Sequence, residues 1–155
     1  MNVYPVLSTG LECAKPSPHN SGLVDFIAHK RMSHITHFSG KSVHPVTDRP
    51  RPERLLSGNP QRHTWTHYET ADEVLSCGIW ACEPGAWRIH FAADKHEFFC
   101  VIEGLVRLHD EAGKVVDVKP SEAAVIPAGF VGVFEVVQAV RKYFVVCQSS
   151  ASQTA

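Results

Sequence analysis

The sequence predicts an all-β fold. From about residue 63 onward it is a run of short segments rich in Val, Ile, Phe and Trp, and turn-forming residues separate them at close, regular intervals. No long segment shows helical periodicity. The chain has 155 residues, with 44% hydrophobic and 20% charged. It is long enough for one domain with a substantial core.

The predicted strands are "RHTWTHYE", "VLSCGIWACE", "AWRIHFA", "EFFCVIEG", "VRLHD", "KVVDVK", "AAVIPAG", "GVFEVV" and "RKYFVVCQ". The turns between them are "EPG", "IEG", "DEAGK", "KPSE" and "PAGF". Many short strands with this punctuation fit a β-sandwich or barrel. "EFFCVI" is apolar at consecutive positions, so both of its faces need cover. The inner face is assigned to the core. The outer face, with Phe98, Cys100 and Ile102, is assigned to the N-terminal segment or to a second subunit, since an exposed strand of this kind is an aggregation edge.

Residues 1–52 read as an N-terminal extension, extended or partly disordered. Pro5, Pro16, Pro18, Pro45, Pro50 and Pro52 block helix and inner-strand pairing there. Within it "GLVDFIAH" is compatible with a short strand or a helical turn. The barrel domain is assigned to residues 53–148, and 149–155 to a tail.

The composition argues against several partners. The net charge is −1, and Lys and Arg do not cluster with interleaved aromatics, so nucleic acid is not expected. No apolar run approaches a membrane span. The N-terminus does not read as a secretory signal. Five cysteines with no C-x-x-C pair read as reduced, mostly buried thiols of a cytoplasmic protein. Cys77 and Cys82, on one strand, should face opposite ways, roughly 16 Å apart.

The spacing from residue 85 to 136 resembles the cupin superfamily. Gly85, Phe91, Ala93, Glu97 and Gly104 stand where the first cupin motif has Gly, His, His, Glu and Gly. Ser121, Pro127, Gly129, Gly132 and Val136 fall where the second has Gly, Pro, Gly, His and Asn. The run from "ERLLSGNPQ" through "GIWACEPGAW", "HEFFCVIEG", "VIPAGFVGVFEV" and "VRKYFVV" is more closely similar to the ureidoglycine aminohydrolase-like and ethanolamine-utilisation-like small cupins. The resemblance covers about residues 53–147 and implies a cupin-type jelly-roll β-barrel of roughly nine to eleven strands. It also implies a homodimer.

In metal-binding cupins the two motif histidines, the glutamate and the second-motif histidine hold the ion. Only Glu97 remains here, and stable sites usually use three or four protein ligands. No metal and no other cofactor is expected, unless a metal is held by ligands outside the motif. Glu97, by its motif position, should point into the barrel. In a mostly apolar cavity it could exchange protons as acid or base, or it could pair with an arginine or lysine and brace the barrel.

Trp80, Trp87, Phe91 and Phe134 are core residues that can also line a ligand cavity. Arg88, Arg141, Lys142 and Tyr143 are candidates to hold an anionic group. Arg141 and Lys142 face opposite ways, and "VRKYF" recurs in the resembling branch, which favours Lys142 and Tyr143. His90 and His96 should face away from the site residues beside them. His63 and His67, if extended, share a face but stand too far apart to chelate one ion. His34 and His37 default to the surface.

The functional expectation is a cupin that binds a small polar metabolite, with Glu97 as acid or base if it is a metal-independent isomerase, lyase or hydrolase. A non-catalytic binding or regulatory cupin is the alternative. A metal enzyme with unusual ligands is the second alternative.

Overall fold

The computed structural model describes residues 34–39 and 43–148. "GLVDFIAH" and the 149–155 tail lie outside them. Nine strands follow in chain order: β1 Val46–Asp48, β2 Leu55–Ser57, β3 Arg62–Glu69, β4 Leu75–Cys82, β5 Gly85–His90, β6 Lys95–Asp110, β7 Val115–Val118, β8 Ala123–Ile126 and β9 Val131–Gln148. One 3₁₀ turn, Pro52–Arg54, stands between β1 and β2.

Two strands organise the fold. β6 and β9 pair antiparallel along nearly their whole length, from Lys95↔Gln148 to Asp110↔Gly132. Their outer halves belong to different layers. The N-terminal half of β6 and the C-terminal half of β9 join β8 on one side and β4, β3 and β1 on the other. The remaining halves join β7 on one side and β5 and β2 on the other. The result is an all-β, curled jelly roll.

The corner between the layers is built at Gly104. The register of β6 against β9 shifts at Val101/Glu103, Glu103/Leu105 and Leu105/Val106. Gly104 has φ +88°, and a Cβ there would collide with the carbonyl oxygen of Ala139. Only glycine meets both demands. The expected turn at "IEG" is therefore a bend inside one continuous strand. For the same reason the separately predicted "EFFCVIEG" and "VRLHD" are one element, as are "GVFEVV" and "RKYFVVCQ".

Alternate residues of these strands fill the interior. Phe99, Val101, Val106, Ile126 and Val136 are 2% exposed or less. Each such side chain contributes roughly 1.5–3 kcal/mol by leaving water. Cys82, Trp87, Leu108, Val118, Phe134, Val140 and Phe144 complete the cluster.

β1 lies inside the stretch predicted as extension and pairs with β3 through Val46↔Thr64. The barrel therefore begins before residue 53. Between residues 43 and 60 the chain is extended only in part. Pro52 opens the 3₁₀ turn, and Leu55 and Ser57 pair with Trp87 and Ala86.

The four described cysteines are free: Cys82 is buried, Cys77 and Cys100 are half-buried and Cys147 is exposed. The expectation of mostly buried thiols is thus corrected, because β6 and β9 carry Cys100 and Cys147 on their less covered positions. Burial pushes the Cys82 thiol up to about 12. It is neutral at physiological pH and unreactive as a nucleophile.

Candidate functional site

The site is assembled from both layers. From the first layer come Trp80 on β4, Glu97 on β6 and Lys142 on β9; from the second come Trp87 on β5 and Phe134 on β9. Together with Phe91, Ile126 and Phe144 they line a cavity of about 310 Å³. Its opening adds Asp48, Arg62, Thr64 and Lys95.

Strand parity explains which side chains enter. Val140, Lys142, Phe144 and Val146 alternate inward, and Lys142 lies opposite Trp80 on β4 and Val101 on β6. Glu97 lies opposite Val146, further along β9. The lysine side chain runs past Phe99 to reach it, and Nζ donates to Glu97 Oε1 at 2.6 Å. Their side chains are 4% and 15% exposed, so the ammonium is buried and the carboxylate largely so.

The ammonium also stands over three rings, 4.2 Å from Phe99, 4.8 Å from Trp80 and 4.9 Å from Phe134. A desolvated cation over aromatic faces gains about 2 kcal/mol. The rings hold one another: Trp87 stacks on Phe134 at 5.2 Å, and Trp80 meets Phe134 edge-on at 5.7 Å. The one hydrogen bond of Lys142 among the described residues goes to Glu97. Its remaining N–H bonds are available to an oxygen-bearing molecule in the cavity.

Four of the other candidates join Glu97 and Lys142 there. Trp80, Trp87, Phe91 and Phe134 line the cavity with that pair. The structure does not bring Tyr143 to it. Tyr143 is 44% exposed, pairs with Ile79 and Cys100, and its ring lies 6.2 Å from Phe38. Tyr143 follows Lys142 directly, so strand alternation turns it outward.

Arg141 also faces outward, with its guanidinium 5.6 Å from the Trp65 ring. Arg88 is exposed and lines no described cavity. His96 accepts from the Ala128 N–H at 3.2 Å, and His63 shares a hydrogen bond with Thr47 Oγ1 at 3.0 Å. A bulge between Thr66 and Tyr68 breaks the regular spacing of β3, and His67 stacks on Phe38 at 4.7 Å. His34 and His37 are exposed.

Sequence reasoning did not name Asp48, Arg62, Lys95 or Ile89. Arg62 donates through Nε to Asp48 Oδ1 at 2.9 Å and lies 5.7 Å over the Trp87 ring. Lys95 stands 5.1 Å over Phe91. Of the four only Asp48 lies in a stretch the sequence marks, "DRPRPER", where prolines hold the chain open; Arg62, Ile89 and Lys95 stand elsewhere.

The residues present do not fit the usual cupin metal. Phe91 and Ala93 offer no ligand atoms. Gly132 lacks a side chain for a structural reason: a Cβ there would collide with the carbonyl oxygen of His109 and approach the Phe130 ring within 2.8 Å. The remaining ligand, Glu97, is held by an ammonium.

Residues 69–144 match the family model described as the EutQ-like cupin domain, just under half of the chain. With the jelly-roll fold, this match makes the region similar to a cupin domain. The structure is similar to that of a protein of unknown function from Pseudomonas syringae pv. tomato, with 26% identity and a TM-score of 0.59, covering 67% of this chain. The match spans 43% of that relative's length. It is also similar to the EutQ protein of Clostridium difficile, at 20% identity and TM-score 0.50, covering 62% of this chain and 69% of that one. A putative ethanolamine utilization protein Q from Salmonella typhimurium matches at 13% identity and TM-score 0.50, covering 70% and 99%. At the last two identities the likeness is one of fold alone. No curated protein matches the chain.

Proposed function

We propose that this cupin domain binds a small polar metabolite in its barrel and uses Glu97 as acid or base in a metal-independent isomerisation, elimination or hydrolysis. The observation that carries the reading is the Lys142–Glu97 pair at the wall of a ring-lined cavity. In such a step the Glu97 carboxylate takes a proton from the substrate and later returns it. The Lys142 ammonium stabilises the negative charge that develops on a substrate oxygen in between. The likeness of "GIWACEPGAW" and "VRKYFVV" to ureidoglycine aminohydrolase-like and ethanolamine-utilisation-like cupins supports a metabolite as ligand. The free thiols of the described cysteines support a cytoplasmic setting.

One observation favours a second reading. The carboxylate and ammonium already satisfy each other, which suits a non-catalytic binding or regulatory cupin. A thermal-shift screen of small carboxylic acids, amides, amines and sugars, with product analysis of each hit, separates the two. Under the enzyme reading, Glu97→Gln keeps binding and loses about 10²- to 10⁴-fold in turnover per folded protein. Under the binding reading, ligands raise the melting temperature and none is converted. Conversion that persists undiminished in Glu97→Gln removes Glu97 from the mechanism.

We also propose that two copies pair through the outer face of the first layer. Phe98 lies between Val125 and Val145 across the strands, and the three are 46%, 59% and 36% exposed. Such a contiguous apolar strip favours association. Sedimentation at micromolar concentration is expected to give a dimer for the wild type and a monomer for Phe98→Asp. A monomeric wild type defeats the idea.

A further inference from the structure

Beside the ring-lined chamber lies an antechamber of about 280 Å³. The two share Arg62, Trp87, Ile89, Phe91 and Lys95 as walls, so they adjoin. The outer part is completed by Arg51, Arg54 and His90. Arg51 and Arg54 flank and end the 3₁₀ turn, and the pairing of β2 with β5 carries that turn to the mouth.

The charge here is one-sided. Three arginines and a lysine line the antechamber, and no acidic side chain does. Glu53, on the same turn, is exposed and lies outside the lining. Arg62 is held by Asp48, but Arg51, Arg54 and Lys95 have no carboxylate partner among the described residues. A chain of net charge −1 does not produce such a cluster by composition. Like charges around a concave opening with apolar walls focus their field into it and raise the local concentration of anions. Guanidinium groups suit the flat, two-oxygen edge of carboxylates and phosphates.

We infer that the antechamber binds the oxyanion group, carboxylate or phosphate, of a small ligand whose uncharged body fills the aromatic chamber. The inference rests on the reading of the chamber as a ligand site and adds the class of ligand. An oxygen on the body would meet Lys142. A cationic body is disfavoured, because the faces of Phe99, Trp80 and Phe134 already hold an ammonium.

The test is calorimetric titration of the full chain at low salt with phenyl phosphate, phenylacetate and benzyl alcohol. The proteins are the wild type, Arg51→Ala/Arg54→Ala, and Arg88→Ala as a control on the exposed arginine outside both cavities. At least one anion is expected to bind tighter than the alcohol, and the order of the two anions tells phosphate from carboxylate. The double variant should weaken that anion at least about tenfold, as loss of charge-assisted bonds does. It should leave benzyl alcohol binding unchanged, Arg88→Ala should bind as the wild type does, and added salt should weaken the anion alone. Anions that bind no better than benzyl alcohol, or that ignore the double variant, overturn the inference while leaving the chamber as a ligand site. If no probe binds, the chamber reading falls with it.

Discussion

Lys142→Met is expected to destabilise the protein by about 3–5 kcal/mol, the cost of leaving one member of a buried ion pair without its partner. The ammonium is the group that satisfies Glu97 in the interior, at 2.6 Å, and methionine offers the carboxylate no hydrogen at all. For a chain of this length the melting temperature should fall by roughly 10 °C or more. The double variant Lys142→Met/Glu97→Leu should regain most of the loss, because no charge then remains buried and two apolar side chains join Phe99 and Trp80. Urea denaturation of the wild type, both single variants and the double variant measures the coupling directly. A Lys142→Met protein as stable as the wild type would show that the pair does not hold in solution.

Gly104→Ala is the second large effect. The backbone there has φ +88°, and the added methyl would meet the Ala139 carbonyl oxygen on the facing strand. Strain in the left-handed region costs about 1–3 kcal/mol, and overpacking against a neighbour about the same again. The sum is roughly 2–6 kcal/mol, from a change that removes no contact. A control at Gly113, whose φ is +84° but which has open space around it, should show the backbone cost without the collision. Equal losses at 104 and 113 in thermal melts would mean that the close approach at the corner carries no weight.

The contrast between these glycines shows what the sequence could convey. Alternation and turn residues were enough to find the strands from β3 onward, and β3 runs over the predicted "RHTWTHYE". The resemblance to the cupin motif also implied that Glu97 points inward. Gly104 was misleading because a glycine after an apolar run looks the same whether the chain turns back or bends and continues. The facing Ala139, distant in sequence, decides between them. Tyr143 was a failure of a different kind. "VRKYFVV" is apolar on both faces, so its inward set cannot be read without knowing that Val140 and Phe144 belong to the core. The cations at the mouth were least legible. Arg51 and Arg54 sit at the 3₁₀ turn, Arg62 opens β3 and Lys95 opens β6, and the pairing of β2 with β5 and of β1 with β3 helps gather them.

The shared length of β6 and β9 has a mechanical side. Trp80, Phe99 and Lys142 ride on one layer, while Trp87 and Phe134 ride on the other, and the same two strands run through both. The two halves of the aromatic cage are therefore the jaws of one lever. Residues 101–106 and the facing 138–141 form the joint between them, so a stiffer or looser joint there is expected to change how far the chamber can widen.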